Sequence, residues 1–269
     1  MTRRGARPTS APLVAVGFVG AAFLALPLLA LLVRAPWGRM ASIVQGPTVG
    51  HALGLSLGTS AVATLICLVL GVPLAWLLVH CPPRIATWLR ALVTVPLVLP
   101  PVVGGVALLM AFGRMGLLGQ PLESWFGIRL GFTTAAVVMA QVFVAMPFLV
   151  VGLEGSLRQR DRELEEAAQT MGAGPRQVLW HITLPLQVPS LVSGLVLCWA
   201  RALGEFGATI TFAGNFPGTT QTMPLAVYLA MQGDPDAAIA LSVVLLAVCV
   251  TVLVALRGSW LPSLLHGTD

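Results

Sequence analysis

The chain contains long stretches without a single charged side chain, and these stretches limit the folds open to it. A helix needs about 20 mainly apolar residues to cross the roughly 30 Å hydrocarbon core of a bilayer. Five charge-free stretches meet this requirement: 12–33, 52–79, 91–113, 130–153 and 237–256. A sixth, 190–213, is apolar except for Arg201 and Glu205. The sequence therefore predicts an all-α membrane protein with six transmembrane helices.

The composition agrees with a membrane protein and removes several kinds of chemistry. Hydrophobic residues make up 57% of the chain and charged residues 9%, whereas a soluble domain carries about 25% charged residues. All fifteen basic residues are arginine. Without lysine, the chain has neither a P-loop lysine nor a Schiff-base lysine. We therefore expect no enzyme activity from this chain by itself; if ATP drives it, a partner subunit hydrolyses the ATP.

The arginines are distributed unevenly between the two sides of the predicted helices. With a cytoplasmic N-terminus, ten arginines lie on the cytoplasmic side and four on the other side, so both termini are predicted to be cytoplasmic. Orientation thus explains the formal net charge of +5, and nucleic acid is not an expected partner. The first apolar run is longer than the core of a signal peptide, so we expect it to be retained.

The predicted helices divide the chain into three parts. Residues 1–45 hold an N-terminal tail and the first helix, 50–257 form the transmembrane core, and 258–269 are a short tail. The loop 154–189 within the core is predicted to be cytoplasmic. The cysteines lie mostly within spans and indicate no disulfide. The histidines show no metal-ligand spacing, so no metal site is expected.

Prolines fall inside several predicted spans and predict kinks there. Pro73 lies in the second span, Pro147 in the fourth, and Pro96, Pro100 and Pro101 in the third. Each proline removes an intrahelical hydrogen bond. Because a bilayer offers no water to replace that bond, such turns must pack against protein or face a watery cavity.

The polar segment 158–189 is predicted to fold as two short helices joined by glycines. The first, 160–171, is charged and rich in strong helix formers. Pro175 suits the first turn of the second helix, which is amphipathic. Pro185 and Pro189 are expected to end it.

This segment resembles the EAA signature of bacterial ABC importer permeases, and it matches the pattern E-A-A-x3-G-x9-I-x-L-P at every spaced position. The matching residues are Glu166, Ala167, Ala168, Gly172, Ile182, Leu184 and Pro185.

The resemblance implies the type I permease fold and a set of partners in the bacterial plasma (inner) membrane. The loop would sit in a groove of an ABC ATPase subunit and carry its closure into the membrane. Glu166 would offer a carboxylate to an arginine of that subunit. ATP and Mg would be bound by the ATPase dimer, and no cofactor is expected in this chain. A second copy of the chain would complete a homodimer.

Arg201 and Glu205 are two opposite charges inside the predicted fifth span. Four residues apart, they lie on one helical face and are expected to form an intramembrane ion pair. Ionisable groups at membrane depth are functional candidates by default. A purely structural ion pair is an equally open interpretation.

The residues that follow this pair resemble molybdate permeases. Arg201-Ala-Leu-Gly-Glu-Phe-Gly-Ala-Thr leads into Ala-Gly-Asn-Phe-Pro-Gly-Thr-Thr-Gln-Thr222, and the block 96–104 is similar to their third span. Sulfate/thiosulfate permeases share the first part but differ after the Asn-x-Pro. The resemblance implies a permease subunit of a molybdate ABC importer that works with an extracytoplasmic molybdate-binding protein.

Two sets of residues are candidates for contacts with the ion or with the binding protein. Hydroxyl groups could solvate a tetrahedral dianion along its path, although such side chains often bond their own helix carbonyls instead. The path candidates are Thr59, Ser60, Thr64, Thr209 and Thr211. The docking candidates, on the predicted outer side, are Asn215, Gly218, Thr220, Gln221 and Thr222.

Other functions remain open at this point. A sulfate/thiosulfate or tungstate permease would have the same architecture. A stand-alone secondary transporter or channel would belong to a different class, but it would leave the EAA match unexplained, and no internal repeat or set of paired intramembrane carboxylates supports it. A membrane enzyme would need a catalytic constellation that the spans do not contain.

Overall fold

The computed structural model describes residues 11–159 and 163–257, and these residues fold into helices joined by short connections. No strand occurs within them. The helices are α1 (Ala11–Val33), α2 (Trp37–Val44), α3 (Pro47–His80), α4 (Pro83–Val98), α5 (Pro101–Phe112), α6 (Gly119–Phe126), α7 (Thr134–Gln159), α8 (Glu163–Thr170), α9 (Pro175–Val178), α10 (Leu184–Leu203), α11 (Gly207–Phe212), α12 (Met223–Gly233) and α13 (Pro235–Arg257). A π-helical turn, Leu179–Thr183, connects α9 to α10.

Five helical segments of the described residues are long and apolar enough to cross a membrane, and a sixth span is obtained when α4 and α5 are counted together. The expectation of six spans is met in this form. The prolines of the third span, 91–113, were expected to mark a kink or an unwound turn, and the structure has a break there, with α4 and α5 bent by 118° relative to each other. Leu99 and Pro100, between the two helices, have extended backbones with ψ of 131° and 132°. A residue before proline disfavours the helical region, so consecutive prolines break the span.

The expected fifth span, 190–213, also differs from the structure at both ends. Pro185 and Pro189 do not end a helix, because α10 runs through both of them to Leu203. Pro185 lies in the first turn of α10, where the missing N–H needs no helical partner. At its other end the span is broken at Gly204, and the short helix α11 follows.

The long helix α7 lies at the centre of the molecule and packs against α3 and α10. Close approach of the three helices depends on two glycines beside Leu149. A Cβ atom at Gly71 would lie 3.3 Å from Leu149 Cδ2, and one at Gly194 would lie 2.9 Å from Leu149 Cδ1. Interhelical contacts in membranes favour such small residues, because apolar side chains gain little by leaving lipid.

The helix α1 lies at the periphery of this core, because no residue in its most apolar stretch is buried. The sequence did not predict the short helices α2, α6 and α12, which lie between the spans. Arg39 of α2 forms ion pairs of 3.4 Å with Asp234 and 3.1 Å with Asp236. These pairs hold α2 beside the start of α13.

Candidate functional site

The polar segment 158–189, called the polar loop below, contains a turn between the two short helices α8 and α9, as the glycine spacing predicts. Gly172 follows α8 with a φ of +92°, a left-handed conformation that glycine adopts without steric cost. The N–H of Ala173 donates to the carbonyl of Ala168 over 3.0 Å, which satisfies a free carbonyl at the end of α8. Residues 160–162, the start of the expected first helix, lie outside the described residues.

The residues of the EAA pattern divide between a surface and a packed side. Glu166 and Ala167 are exposed on α8, so a partner protein can reach them. Ala168 is buried in α8, the first arm of the loop. Ile182 and Leu184 are half-buried in the second arm, 175–184. Pro185 is exposed at the start of α10. Contact with an ATPase subunit stays a prediction that this arrangement permits.

Polar contacts that sequence reasoning missed hold the loop against the membrane helices. Thr183 Oγ1 donates a hydrogen bond of 2.6 Å to Glu165 Oε1, which joins the π-helical turn to α8. Ser156 Oγ lies 2.6 Å from Gln187 Oε1 and 2.7 Å from Ser190 Oγ, which joins α7 to α10. These pairs are 18 to 34 residues apart in sequence, so no local spacing indicates them.

A second missed feature is a carboxylate shared by two arginines on the same side of the molecule. Glu154 Oε1 accepts hydrogen bonds from Arg90 Nε over 3.1 Å and from Arg158 Nε over 2.9 Å. Arg158 Nη2 also donates to the carbonyl of Leu78 over 3.1 Å. The cluster therefore ties α3, α4 and α7 together beside the polar loop.

The predicted ion pair between Arg201 and Glu205 is present. Arg201 Nη1 lies 2.6 Å from Glu205 Oε2, and the Glu205 side chain is buried. Glu205 Oε1 accepts a hydrogen bond of 2.7 Å from the N–H of Ala208, one of the free donors in the first turn of α11. Glu205 thus caps α11 as well as pairing with Arg201, a role that the sequence did not indicate.

The capped helix α11 packs tightly on α5, which follows the bend in the third span. A Cβ atom at Gly105 would lie 2.7 Å from Thr211 Cβ and 2.9 Å from Ala208 Cα. A Cβ atom at Gly207 would lie 2.8 Å from Pro101 Cβ. Both positions therefore require glycine for this close approach.

Most candidate path hydroxyls bond to their own helices. Thr59 Oγ1 donates to the carbonyl of Leu55, and Ser60, Thr64 and Thr211 likewise donate to carbonyls three or four residues earlier. Thr59, Ser60 and Thr209 are buried within the subunit. Thr209 Oγ1 makes no hydrogen bond within the described residues. The path role of all five side chains stays a prediction. The burial of Thr59, Ser60 and Thr209 in this conformation does not favour it, whereas Thr64 and Thr211 are half-buried.

The candidate docking residues differ in how exposed they are. Gly218 is exposed and Asn215 half-buried, whereas Thr220, Gln221 and Thr222 are buried. Thr220 Oγ1 accepts a hydrogen bond from the N–H of Phe216 over 2.9 Å, so it shapes the turn from inside. Docking stays a prediction for the surface part of this segment, because the buried side chains cannot touch a docked protein in this conformation.

The described residues contain no group of three or more His, Cys, Asp or Glu side chains that could hold a metal ion. The spanning helices of the described residues, the broken span and the turned polar loop define a multi-pass helical membrane protein. The chain belongs to the family of inner membrane components of binding-protein-dependent transport systems, whose family model matches residues 69–258. It is therefore a multi-pass protein of the inner membrane.

Related sequences agree with this assignment. The chain is 49% identical over 250 residues to the molybdenum transport system permease protein ModB of Mycobacterium tuberculosis, covering 93% of each chain. It is 41% identical over 211 residues to the protein of the same name from Escherichia coli, covering 78% of this chain and 92% of that relative. A probable sulfate transport system permease protein, cysT of Marchantia polymorpha, is 37% identical over 201 residues, covering 74% of this chain and 69% of the relative.

Solved structures show the same fold. A bacterial ABC transporter involved in the import of alginate matches with a TM-score of 0.72 and 18% identity, covering 96% of this chain and 95% of that one. The MetNI methionine ABC transporter matches with a TM-score of 0.60 and 19% identity, covering 85% and 94%. The chain thus has the fold of ABC importer permeases.

Proposed function

We propose that this chain is the membrane-spanning subunit of an ATP-driven ABC importer that moves molybdate into the cytoplasm. The observation that carries the proposal is the 49% identity to a molybdenum permease over 93% of both chains. Sulfate permease relatives are only 37% and 32% identical, so molybdate is favoured over sulfate. Tungstate resembles molybdate in size and charge and is a second candidate cargo.

The complete importer would hold two copies of this chain, an ABC ATPase dimer and an extracytoplasmic molybdate-binding protein. The exposed Glu166 and Ala167 on α8 support the place of the ATPase. Since the chain has no lysine, the P-loop that binds ATP and Mg would belong to the ATPase subunit. The ion would pass from the binding protein through the permease dimer.

The test is ATP-dependent uptake by the assembled complex in proteoliposomes. We expect radiolabelled molybdate to accumulate when ATP and the molybdate-binding protein are both supplied, and not when a non-hydrolysable ATP analogue replaces ATP. Tungstate should compete with molybdate, and sulfate in large excess should not. Uptake that sulfate abolishes at equal concentration would assign the complex to sulfate instead.

A further inference from the structure

The helix α4 is separated from its neighbours along the chain by an extended link at each end. Cys81 and Pro82, between α3 and α4, have ψ of 161° and 144°. Leu99 and Pro100, between α4 and α5, have ψ of 131° and 132°. Short links of this kind interrupt the hydrogen bonds of a helix and can absorb a change in backbone angles. The helix α4 can therefore turn as a rigid arm while α3 and α5 keep their own positions.

A carboxylate of α7 holds this arm in place. Arg90 Nε of α4 donates to Glu154 Oε1 over 3.1 Å and to Oε2 over 3.3 Å, and Arg90 Nη2 donates to Oε1 over 2.5 Å. Bonds between a guanidinium and a carboxylate are about twice as strong as bonds between neutral groups. The Glu154 side chain is only 6% exposed, so its charge depends on protein partners.

A second arginine pairs with the same carboxylate without involving α4. Arg158 lies one turn after Glu154 on α7, and its Nε donates to Glu154 Oε1 over 2.9 Å. Its Nη2 donates to the carbonyl of Leu78 on α3 over 3.1 Å. The partners of Arg158 thus belong to α3 and α7. When α4 turns away, Glu154 therefore keeps one arginine.

The second arginine lowers the cost of separating α4 from α7. Breaking a buried ion pair normally leaves an uncompensated charge, and this penalty keeps such pairs closed. Here the charge of Glu154 stays compensated by Arg158, and the long side chain of Arg90 can reach towards the membrane surface. The arrangement therefore suits a contact that opens and closes repeatedly rather than a permanent one.

We propose that Arg90 and Glu154 form a releasable latch between α4 and α7, and that Arg158 is a positioning residue that keeps Glu154 paired while the latch is open. Arg158 is the first residue of the polar loop, so a movement of the loop acts directly at the latch. The latch holds the conformation described above until an ATPase subunit moves the loop. This role rests on the proposed function for the presence of that subunit.

The two arginines should have opposite effects on the complete importer, although both bind Glu154. Arg90→Gln removes the latch and leaves Glu154 paired with Arg158. We therefore expect ATP hydrolysis without the binding protein to rise at least threefold. Arg158→Gln leaves Glu154 without a partner whenever the latch opens, so that both this unstimulated hydrolysis and molybdate uptake should fall at least threefold.

The matched control is a similar cluster in another part of the subunit. Glu123 lies 3.2 Å from Arg114 Nε and 2.8 Å from Arg129 Nε, and Arg114→Gln should leave unstimulated ATP hydrolysis within twofold of the native rate.

The outcomes separate the latch from a structural role and from the proposed function. Changes in the same direction for Arg90→Gln and Arg158→Gln, in intact complexes, would show that the cluster only stabilises the fold and would overturn the latch. Unchanged hydrolysis by Arg90→Gln would overturn it as well. A native complex that hydrolyses ATP but does not import molybdate would contradict the proposed function and leave the result on the latch standing.

A second measurement does not depend on the stability of Arg158→Gln. Arg90→Cys/Glu154→Cys places one thiol on each side of the latch, whereas Glu154→Cys/Arg158→Cys places both thiols on α7. Cys81→Ser is added to both variants, and a short bis-maleimide then joins the two introduced thiols. Relative to unreacted protein, we expect the reagent to lower uptake at least tenfold in the first variant and less than twofold in the second. Equal effects would show that α4 does not need to leave α7, and the proposal would be wrong.

Discussion

Glu205 engages both of its carboxylate oxygens, so it is sensitive to the loss of its partner. One oxygen pairs with Arg201, and the other caps the first turn of α11. Removing one member of a buried ion pair leaves an uncompensated charge in a poorly solvated place. Truncation at both positions is therefore expected to cost less than the sum of the two single truncations.

This expectation can be measured as a double-mutant cycle. Arg201→Ala and Glu205→Ala should each lower the free energy of unfolding of the purified chain by about 3–5 kcal/mol. The double variant should lose clearly less than the sum of the two, because the coupling between the side chains is removed only once. Strict additivity of the thermal stabilities in detergent would show that the two side chains do not interact.

Gly105 provides a second prediction at the residue scale. A methyl group there would meet Thr211 Cβ at 2.7 Å and Ala208 O at 2.8 Å, so Gly105→Ala forces α5 away from α11. Such overpacking costs about 1–3 kcal/mol, which should appear as a lower midpoint of thermal unfolding. Gly58→Ala is the matched control, since nothing lies within 4 Å of a Cβ atom there. Equal midpoints for the two variants would contradict the close approach of α5 and α11.

Individual contacts were predictable only where the partners are close in sequence. Arg201 and Glu205 are four residues apart, and helix geometry alone brings them together. Arg90 and Glu154 are 64 residues apart, and their contact depends on how α4 packs against α7. Likewise, the cap that Glu205 places on α11 could not be expected before the break at Gly204 was known.

At the scale of elements, the polar loop is held by one turn and one side-chain bond. Gly172 provides the turn through its left-handed backbone, and Thr183 bonds to Glu165 across the two arms. The exposed Glu166 lies between these two fixed points. The shape of the loop and its charge can therefore be changed separately.

Two variants of the loop should uncouple transport without preventing insertion. Gly172→Asp places a side chain where φ is +92°, and Glu166→Lys reverses the charge expected to meet an arginine of the ATPase. We expect normal amounts of protein in the membrane, with ATP-dependent uptake reduced at least tenfold. Gly174→Ala is the control, because its φ is not in the left-handed range. Normal uptake by either variant would contradict the docking of this loop.

The bond between the two arms of the loop permits a milder test. Thr183→Val keeps the size of the side chain but removes the donor to Glu165, whereas Thr170→Val removes a bond within α8 to the carbonyl of Glu166. We expect Thr183→Val to lower the amount of molybdate imported per ATP hydrolysed several-fold. Thr170→Val should leave that ratio unchanged. The ratio is measured by following uptake and phosphate release in the same proteoliposomes.

Helix positions were predictable from hydropathy, and the prolines indicated the break in the third span, but the break at Gly204 and the course of α10 through Pro185 and Pro189 were not predicted. Long apolar stretches must be helical in a bilayer because every backbone group needs an internal partner. Whether proline ends a helix depends on its position relative to the helix start. Pro185 falls in the first turn of α10 and is tolerated, whereas the pair Pro100 and Pro101 leaves Leu99 extended and produces the 118° bend.

At the scale of the whole molecule, the sequence predicts where the spans lie, but the arrangement of the spans depends on packing between the helices. The central place of α7 follows from its contacts with α3 and α10. Hydropathy does not predict these contacts. The same limit applies to the candidate docking segment. Its residues were expected together at the outer surface, but packing against α3, through a hydrogen bond from Met223 N–H to Ser56 Oγ, draws its second half inward.

Substrate choice in the complete importer is tested by asking which subunit distinguishes molybdate from sulfate. Molybdate and sulfate share charge and tetrahedral shape and differ mainly in radius. A permeation route contacts either ion loosely and briefly, so it discriminates little between them. A closed pocket in the extracytoplasmic binding protein can enforce a radius. We therefore expect selection to be made by that protein and not by the membrane subunit.

The surface half of the docking segment, 215–219, is the part to exchange, because Thr220 and the two residues after it are buried. Replacing it with the equivalent residues of a sulfate permease should weaken, at least fivefold, the stimulation of ATP hydrolysis by the molybdate-binding protein. The exchange keeps Gly218, whose φ of +75° is a left-handed conformation that favours glycine, so the protein should stay folded. No sulfate uptake should appear while the molybdate-binding protein is the only one supplied. Sulfate transport under those conditions would place the selectivity filter in this chain and contradict selection by the binding protein.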